Sequence, residues 1–199
     1  MSAVVLGPAD GLSRGLADKL RGTVAEPEQA LPPHITSAVV VAGTHPPPRL
    51  ADAATLSGAD WDRTVDGMMW SALAALQRAR SAFNSDGGRI VVVVPTIGMA
   101  GAAQLLAYTT ALEGIRAMAK SAARQWQPEG VPVNLVAAPL RLFAPSVDAS
   151  AAHLAAAVVQ DDSTLLHSVA EAVAFLLRPD LHHLLGETIV VDGGSVMLP

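Results

Sequence analysis

GGRIVVVVPTIGMAG, residues 87–101, decides the architecture of this chain. Asp86 and the two glycines read as a turn. Residues 89–94, RIVVVV, then run through five β-branched side chains without polar alternation. A strand with one wet face would alternate apolar and polar residues. An unbroken run predicts a central strand covered on both faces, the usual state of a parallel sheet. Pro95 can end it, because proline brings no N–H to the ladder. The glycine-bearing loop TIGMAGAA leads into a long predicted helix over residues 104–126. Its apolar stripe is Leu105, Tyr108, Leu112, Ile115, Ala119, Ala122 and Trp126, mostly three or four apart.

The same reading extends in both directions. Residues 3–6 and 37–42 (SAVVVA) read as short buried strands, and 10–20 as a helix between them. Residues 23–36 hold three prolines and no helical period, so they read as a connector. After the loop THPPPRLADAATLSG, Ser57 or Asp60 can cap a long helix. Its stripe runs Trp61, Val65, Met68, Ala72, Leu73, Leu76, Ala79 and Phe83. On the C-terminal side, residues 131–137 and 187–191 read as strands, and 150–159 and 163–177 as helices. About five strands alternating with five or six helices predict an α/β fold with a mainly parallel sheet.

Composition narrows the classes. The chain has 199 residues, 51% hydrophobic and 16% charged, with a net charge of −5. Mean hydropathy is +0.38. One domain with a real core is expected, and disorder is excluded. The acidity argues against a nucleic-acid partner, which needs a basic patch. Zero cysteines exclude disulfides, a thiolate nucleophile and cysteine metal sites. The start MSAVVLGPADG has no basic region of the kind a signal peptide carries, and no run approaches the length of a membrane helix. A cytoplasmic protein without membrane contact is expected.

Five segments, in order, resemble the short-chain dehydrogenase/reductase family, especially its ketoacyl-reductase-like members. WDRTVDG (61–67) resembles the family's WDxxxDVN, and GGRIVVVVPTIGMAG its GxIVNISSxxGxxG. Tyr108, with Gly114 at the family spacing, opens the helix that carries YxxxK. EGVPVNLVAAP (129–139) resembles GIRVNxVxPG, and GETIVVDGG (186–194) resembles GxxxxVDGG. The resemblance implies a single Rossmann-like domain over residues 1–199. Its N-terminal half, 1–43, is reduced, and 57–199 is family-like. By the same resemblance, the family's second and third strands are expected to be missing, with only residues 21–36 in their place.

At the positions the resemblance marks as catalytic, the residues differ. The lysine four residues after Tyr108 is Leu112, and the serine thirteen before it is Pro95. The helix asparagine aligns with Met68, and NNAG reads VVAG, with Val40 and Val41 for the asparagines. Residues i and i+4 share a helix face, so the lysine would set a cation beside the phenol and favour phenolate. Leucine cannot do this, and a free phenol has a pKa of about 10. Lys120 is roughly 18 Å farther along the helix. Each lost acid/base or oxyanion group costs about 10²–10⁴ in rate. Tyr108 is therefore expected to be vestigial, with Pro95, Leu112 and Met68 at lost catalytic positions.

The cofactor turn that the resemblance implies is altered too. TGxxxGxG reads LGPADGLS: Gly7 and Gly11 keep their spacing, the third glycine is Ser13, and Asp10 adds a negative charge. Gly7 and Gly11 then read as a tight strand-to-helix turn, vestigial for cofactor binding. The family's PGxxxT aligns with Ala138, Pro139 and Phe143. No cofactor is expected in this chain.

The resemblance also implies pairing through the two long helices. Met69, Trp70, Leu73, Leu112 and Met118 are the interface candidates. The expected function is a non-catalytic subunit that stabilises an active NAD(P)-dependent partner, as a heterodimer or heterotetramer. The alternatives are a weak NAD(P)-dependent oxidoreductase using Tyr108, with Thr96 for the serine, or a ligand-binding regulatory module. No metal is expected: His182 and His183 are adjacent, and His34, His45, His153 and His167 lack ligand spacing. There is no GxSxG element for a serine hydrolase.

Overall fold

Six parallel strands form one sheet in the order β2-β1-β3-β4-β5-β6. The computed structural model describes residues 3–154 and 162–196. The strands are β1 (Val4–Leu6), β2 (Thr23–Ala25), β3 (Ser37–Val41), β4 (Arg89–Pro95), β5 (Val133–Ala138) and β6 (Thr188–Val190). The longer helices are α1 (Gly11–Lys19), α3 (Gly67–Ala82), α5 (Leu106–Trp126) and α6 (Asp162–Leu176). Two four-residue helices, α2 (Gly58–Trp61) and α4 (Ile97–Ala100), precede α3 and α5.

Alternation along each strand sends neighbouring side chains to opposite faces. Val40, Ile90, Val92, Val94 and Leu135 join one core layer with the inner faces of α3 and α5. Val39, Val41, Val91, Val93 and Val136 join a second layer with α1 and α6. Both faces of β4 are therefore dry, which is why its sequence shows no polar alternation. The expected strand and long-helix positions agree with this within a few residues.

Three expectations need correction. The sheet has six strands, not about five. The sixth is β2, inside the supposed connector, where Val4, Val5 and Leu6 pair with Thr23, Val24 and Ala25. It occupies the second-strand place of the doubly wound order 3-2-1-4-5-6. The second strand is thus present, and the third has no counterpart among the described residues. The helix after Ser57 contains a wide π turn over Asp62–Asp66. Lastly, the helix expected at 150–159 is 3₁₀ over Pro145–Leu154, and its remainder lies outside the described residues.

Segment 26–36 replaces the third strand and runs past α3. Arg78 of α3 ties it down, donating to the carbonyls of Glu26 (3.1 Å) and Gln29. At the other end, Asp192 accepts from the N–H groups of Gly194, Ser195 and Val196, folding the DGG turn on itself. The expected apolar C-terminal end, 197–199, lies outside the described residues.

Candidate active site

In an open α/β sheet, ligands bind beyond the carboxyl ends of the strands where the strand order reverses. Here that point lies between β1 and β3. The residues leaving those strands, Leu6–Gly7–Pro8 and Ala42–Gly43–Thr44, line a cavity of about 240 Å³ with part of α3. Pro95 ends β4, and Tyr108 and Leu112 lie on α5.

The turn after β1 is closed by its own side chains. Asp10 is the N-cap of α1, and its Oδ1 accepts from the Ser13 N–H at 2.8 Å. A carboxylate already sits where an anion would meet the helix N-terminus. Ser13 is fully buried, and its Oγ has no hydrogen-bond partner among the described residues. A Cβ added to Gly7 would come within 3.1 Å of that Oγ and 3.2 Å of the Val41 Cβ. Gly7 is therefore held by close packing. Gly11 is not: an added Cβ meets nothing within 4 Å.

Tyr108, near the start of α5, is 1% exposed. Its hydroxyl donates to the Gly43 carbonyl at 2.6 Å. Burial pushes the phenol well above its ordinary range, so the neutral form is favoured. Gly43 has φ +102°, and a Cβ there would meet the Pro95 ring at 2.8 Å and the Tyr108 hydroxyl at 3.1 Å. Glycine is required on both counts. Pro95, the Gly43 backbone and the phenol thus form one tight stack.

Leu112 is fully buried, and a Cβ on Gly98 would lie 2.8 Å from its Cβ. The expectation of Leu112 at a pairing surface is corrected: it belongs to the core of its own chain. Met68 is 2% exposed and contributes to the cavity wall. Thr96 is buried beside Pro95, its N–H on the Ala138 carbonyl at 2.8 Å. Phe143 belongs to the second core layer.

The other interface candidates lie on α3 and α5. Met69 is half-buried against Gly114, where an added Cβ would sit 3.0 Å from its Sδ. Leu73 and Met118 are half-buried. Trp70 is 68% exposed. Trp61 and Trp126 are partly buried against the first core layer.

The sequence reading passes over one acidic residue at the end of β2. Glu26 directly follows β2, nineteen residues after Gly7, and is exposed. An acidic residue about twenty positions beyond the glycine turn is the usual partner of an adenine ribose in this class of fold. That spacing was the available signal. With residues 23–36 read as a connector, no strand end marks it. Among the described residues, no group of three or more histidine or acidic side chains could hold a metal ion. His153 instead lies 3.0 Å from the Gly101 carbonyl through Nε2.

A parallel sheet with helices on both faces and a crevice at its switch point defines a doubly wound, nucleotide-site class of protein. Within that class, residues 17–196 match the family described as enoyl-(acyl carrier protein) reductase. The chain belongs to this short-chain dehydrogenase/reductase family. It is 27% identical over 154 residues to the short-chain dehydrogenase/reductase eriH of Hericium erinaceus, covering 74% of this chain and 61% of that protein. It is 33% identical over 118 residues to the 3-oxoacyl-(acyl-carrier-protein) reductase FabG of Vibrio cholerae, covering 56% and 47%. The chain thus spans about half to three-fifths of these relatives' lengths. The fold matches an NADPH-bound blue fluorescent protein from a metagenomic library, with a TM-score of 0.75, 19% identity and 98% of each chain covered. It also matches a putative 2-deoxy-D-gluconate 3-dehydrogenase from Agrobacterium tumefaciens with bound NADP, at TM-score 0.70 and 19% identity, covering 98% and 95%. No described helix is long and apolar enough to cross a membrane.

Proposed function

We propose that this chain is a non-catalytic subunit that pairs with, and stabilises, an active NAD(P)-dependent member of its own family. The supporting observation is the Tyr108 phenol, buried and donating to the Gly43 carbonyl, with apolar Leu112 one helical turn along. A general base must release its proton near working pH. Burial opposes that release here, and no cation at the i+4 position counters it.

The residues present do not fit a bound nicotinamide dinucleotide. Asp10 occupies the α1 N-terminus. The buried Ser13 side chain, where the family has a third glycine, lies against Gly7, its Oγ 3.1 Å from where a Gly7 Cβ would be. Pro95 offers no hydroxyl to a carbonyl substrate. The cofactor belongs to the partner in this reading. The partner reduces a ketone or oxidises a secondary alcohol, on an acyl thioester if it resembles the 3-oxoacyl reductases.

Pairing is assigned to the outer face of α3 and α5. An indole 68% exposed, with half-buried Met69 and Leu73 on the same helix and half-buried Met118 on α5, is the kind of aromatic anchor that concentrates binding energy. Co-expression with an active family member, affinity capture and native mass measurement test the assembly. The expected result is a stable hetero-oligomer in which this chain alone gives no NADPH fluorescence change. Failure to co-assemble, or tight NADPH binding with turnover by this chain alone, overturns the reading.

Glu26 favours a second reading, a weak NAD(P)-dependent oxidoreductase using Tyr108. An acid at the end of β2 is placed to meet a ribose hydroxyl. In that case the isolated chain binds NADH, and Glu26→Ala abolishes the binding.

A further inference from the structure

Another cavity, of about 170 Å³, lies between the loop that precedes α2, the turn of helix after α2 and the start of α5. It shares no residue with the crevice at the switch point. Its frame is fixed: the Ala51 N–H donates to the Gln104 carbonyl at 2.9 Å, which pins the loop to the approach to α5. Part of its wall is apolar. Leu50 and Leu106, 50% and 41% exposed, are two of the four large apolar side chains left exposed among the described residues, and both line it with half-buried Leu56. Single apolar side chains scattered on a surface need no explanation, but a cluster around one cavity does.

The rest of the wall is charged. Arg63 pairs with Asp60, whose carboxylate also accepts from the Ser57 hydroxyl at 2.7 Å. The Ser57 contact first, and Arg63 second, hold the Asp60 carboxyl below its usual range, so it stays ionised and balances Arg63. Arg49 also lines the cavity and makes no hydrogen bond or ion pair among the described residues. It attracts Asp60 through space, more weakly than Arg63 does. The wall therefore carries one positive charge in surplus.

We infer that this cavity takes a monocarboxylate with a short apolar body of about six carbons. A guanidinium meets a carboxylate through two parallel N–H···O contacts, so Arg49 suits that headgroup. One surplus charge matches a monoanion. A phosphate dianion would exchange its water for leucine side chains. A space of roughly 150 Å³ admits benzene, so the cavity limits the body to about that size. The site is independent of the pairing role: none of Met69, Trp70, Leu73 and Met118 lines it.

The test titrates benzoate into the full chain and follows saturation transfer by ligand-observed NMR, with benzyl alcohol and inorganic phosphate in parallel. Benzoate is expected to saturate with a Kd of about 1 mM. Benzyl alcohol, the same ring without the charge, binds about tenfold more weakly. Phosphate, the charge without the ring, does not displace benzoate at equal concentration. Arg49→Gln weakens benzoate about tenfold and leaves benzyl alcohol unchanged. Arg49 is exposed, so this variant is expected to melt with the unaltered chain. Asp60→Asn, which frees Arg63, tightens benzoate several-fold, a direction that damage to the fold does not produce. No saturable transfer from benzoate, or an affinity unmoved by Arg49→Gln, overturns the site. Equal binding of benzyl alcohol overturns the carboxylate, and displacement by phosphate overturns the apolar body. Asp60→Asn without tightening overturns the surplus charge as the source of affinity. Assembly with a partner is read by other measurements, so failure here and failure of the pairing reading are distinct.

Discussion

Tyr108 is the only tyrosine in the chain, so its ionisation can be followed by ultraviolet absorbance without assignment. Its folded-state pKa lies above the ordinary value near 10, because burial penalises phenolate. The folded chain keeps a proton that the unfolded chain releases. Its contribution to stability is whole below pH ~10 and declines as pH rises beyond that. Alkaline titration is therefore expected to show phenolate appearing together with unfolding, and later than in a tyrosine peptide. Phenolate at pH 8 or 9 in the folded chain would contradict this. Leu112 carries the companion prediction. Leu112→Lys restores the family's residue on paper, but the site is fully buried. A buried lysine is displaced by about three pKa units or more, equivalent to roughly 4 kcal/mol. Chemical denaturation is expected to show that loss, with no gain of turnover.

At the scale of elements, α1 offers a paired comparison. Asp10 caps it through the Ser13 N–H. Asp10→Ala is expected to cost about 1 kcal/mol by urea denaturation. Gly11→Ala, where an added Cβ meets nothing, is expected to be neutral or to stabilise by up to about 1 kcal/mol. A large loss at Gly11 would mean that the turn packs more tightly there than the open space around its Cα implies.

Elements differ in how plainly they are written. β4 was legible because a run of β-branched residues has few other uses. α3 and α5 were legible because their stripes span many turns. β2 was not: three residues, one of them exposed, carry too little pattern. Its one local cue is Gly22, where a Cβ would collide with the Ala3 carbonyl oxygen at 2.0 Å, marking backbone pressed against backbone. The losses at residues 95 and 112 could be read from spacing alone. What fills the vacated room could not be, because the Gly43–Pro95–Tyr108 stack joins three segments distant in sequence. Leu112 was misplaced for a related reason. A helical stripe gives an angle around the axis, and does not say whether a neighbour such as Gly98 covers it.

The whole molecule presents its exposed indole on a helix whose inner face is committed to the core. Trp70→Asp is expected to leave the stability of the isolated chain nearly unchanged, since the side chain is 68% exposed. It is expected to weaken the proposed assembly with an active family member by about 10²-fold, the loss usual for an aromatic anchor. Sedimentation at graded concentrations reads the assembly, and urea denaturation reads the stability. Unaltered assembly would move the contact elsewhere.

The two outermost strands, β2 and β6, are each three residues long. Exposed margins of a sheet are where proteins recruit one another by backbone pairing, in controlled or uncontrolled ways. Rims this short offer hardly any rungs to a newcomer, and Pro27, two positions past the end of β2, withholds its own donor. Under the proposed assembly, recognition would fall to side chains on helices, where sequence can choose a companion.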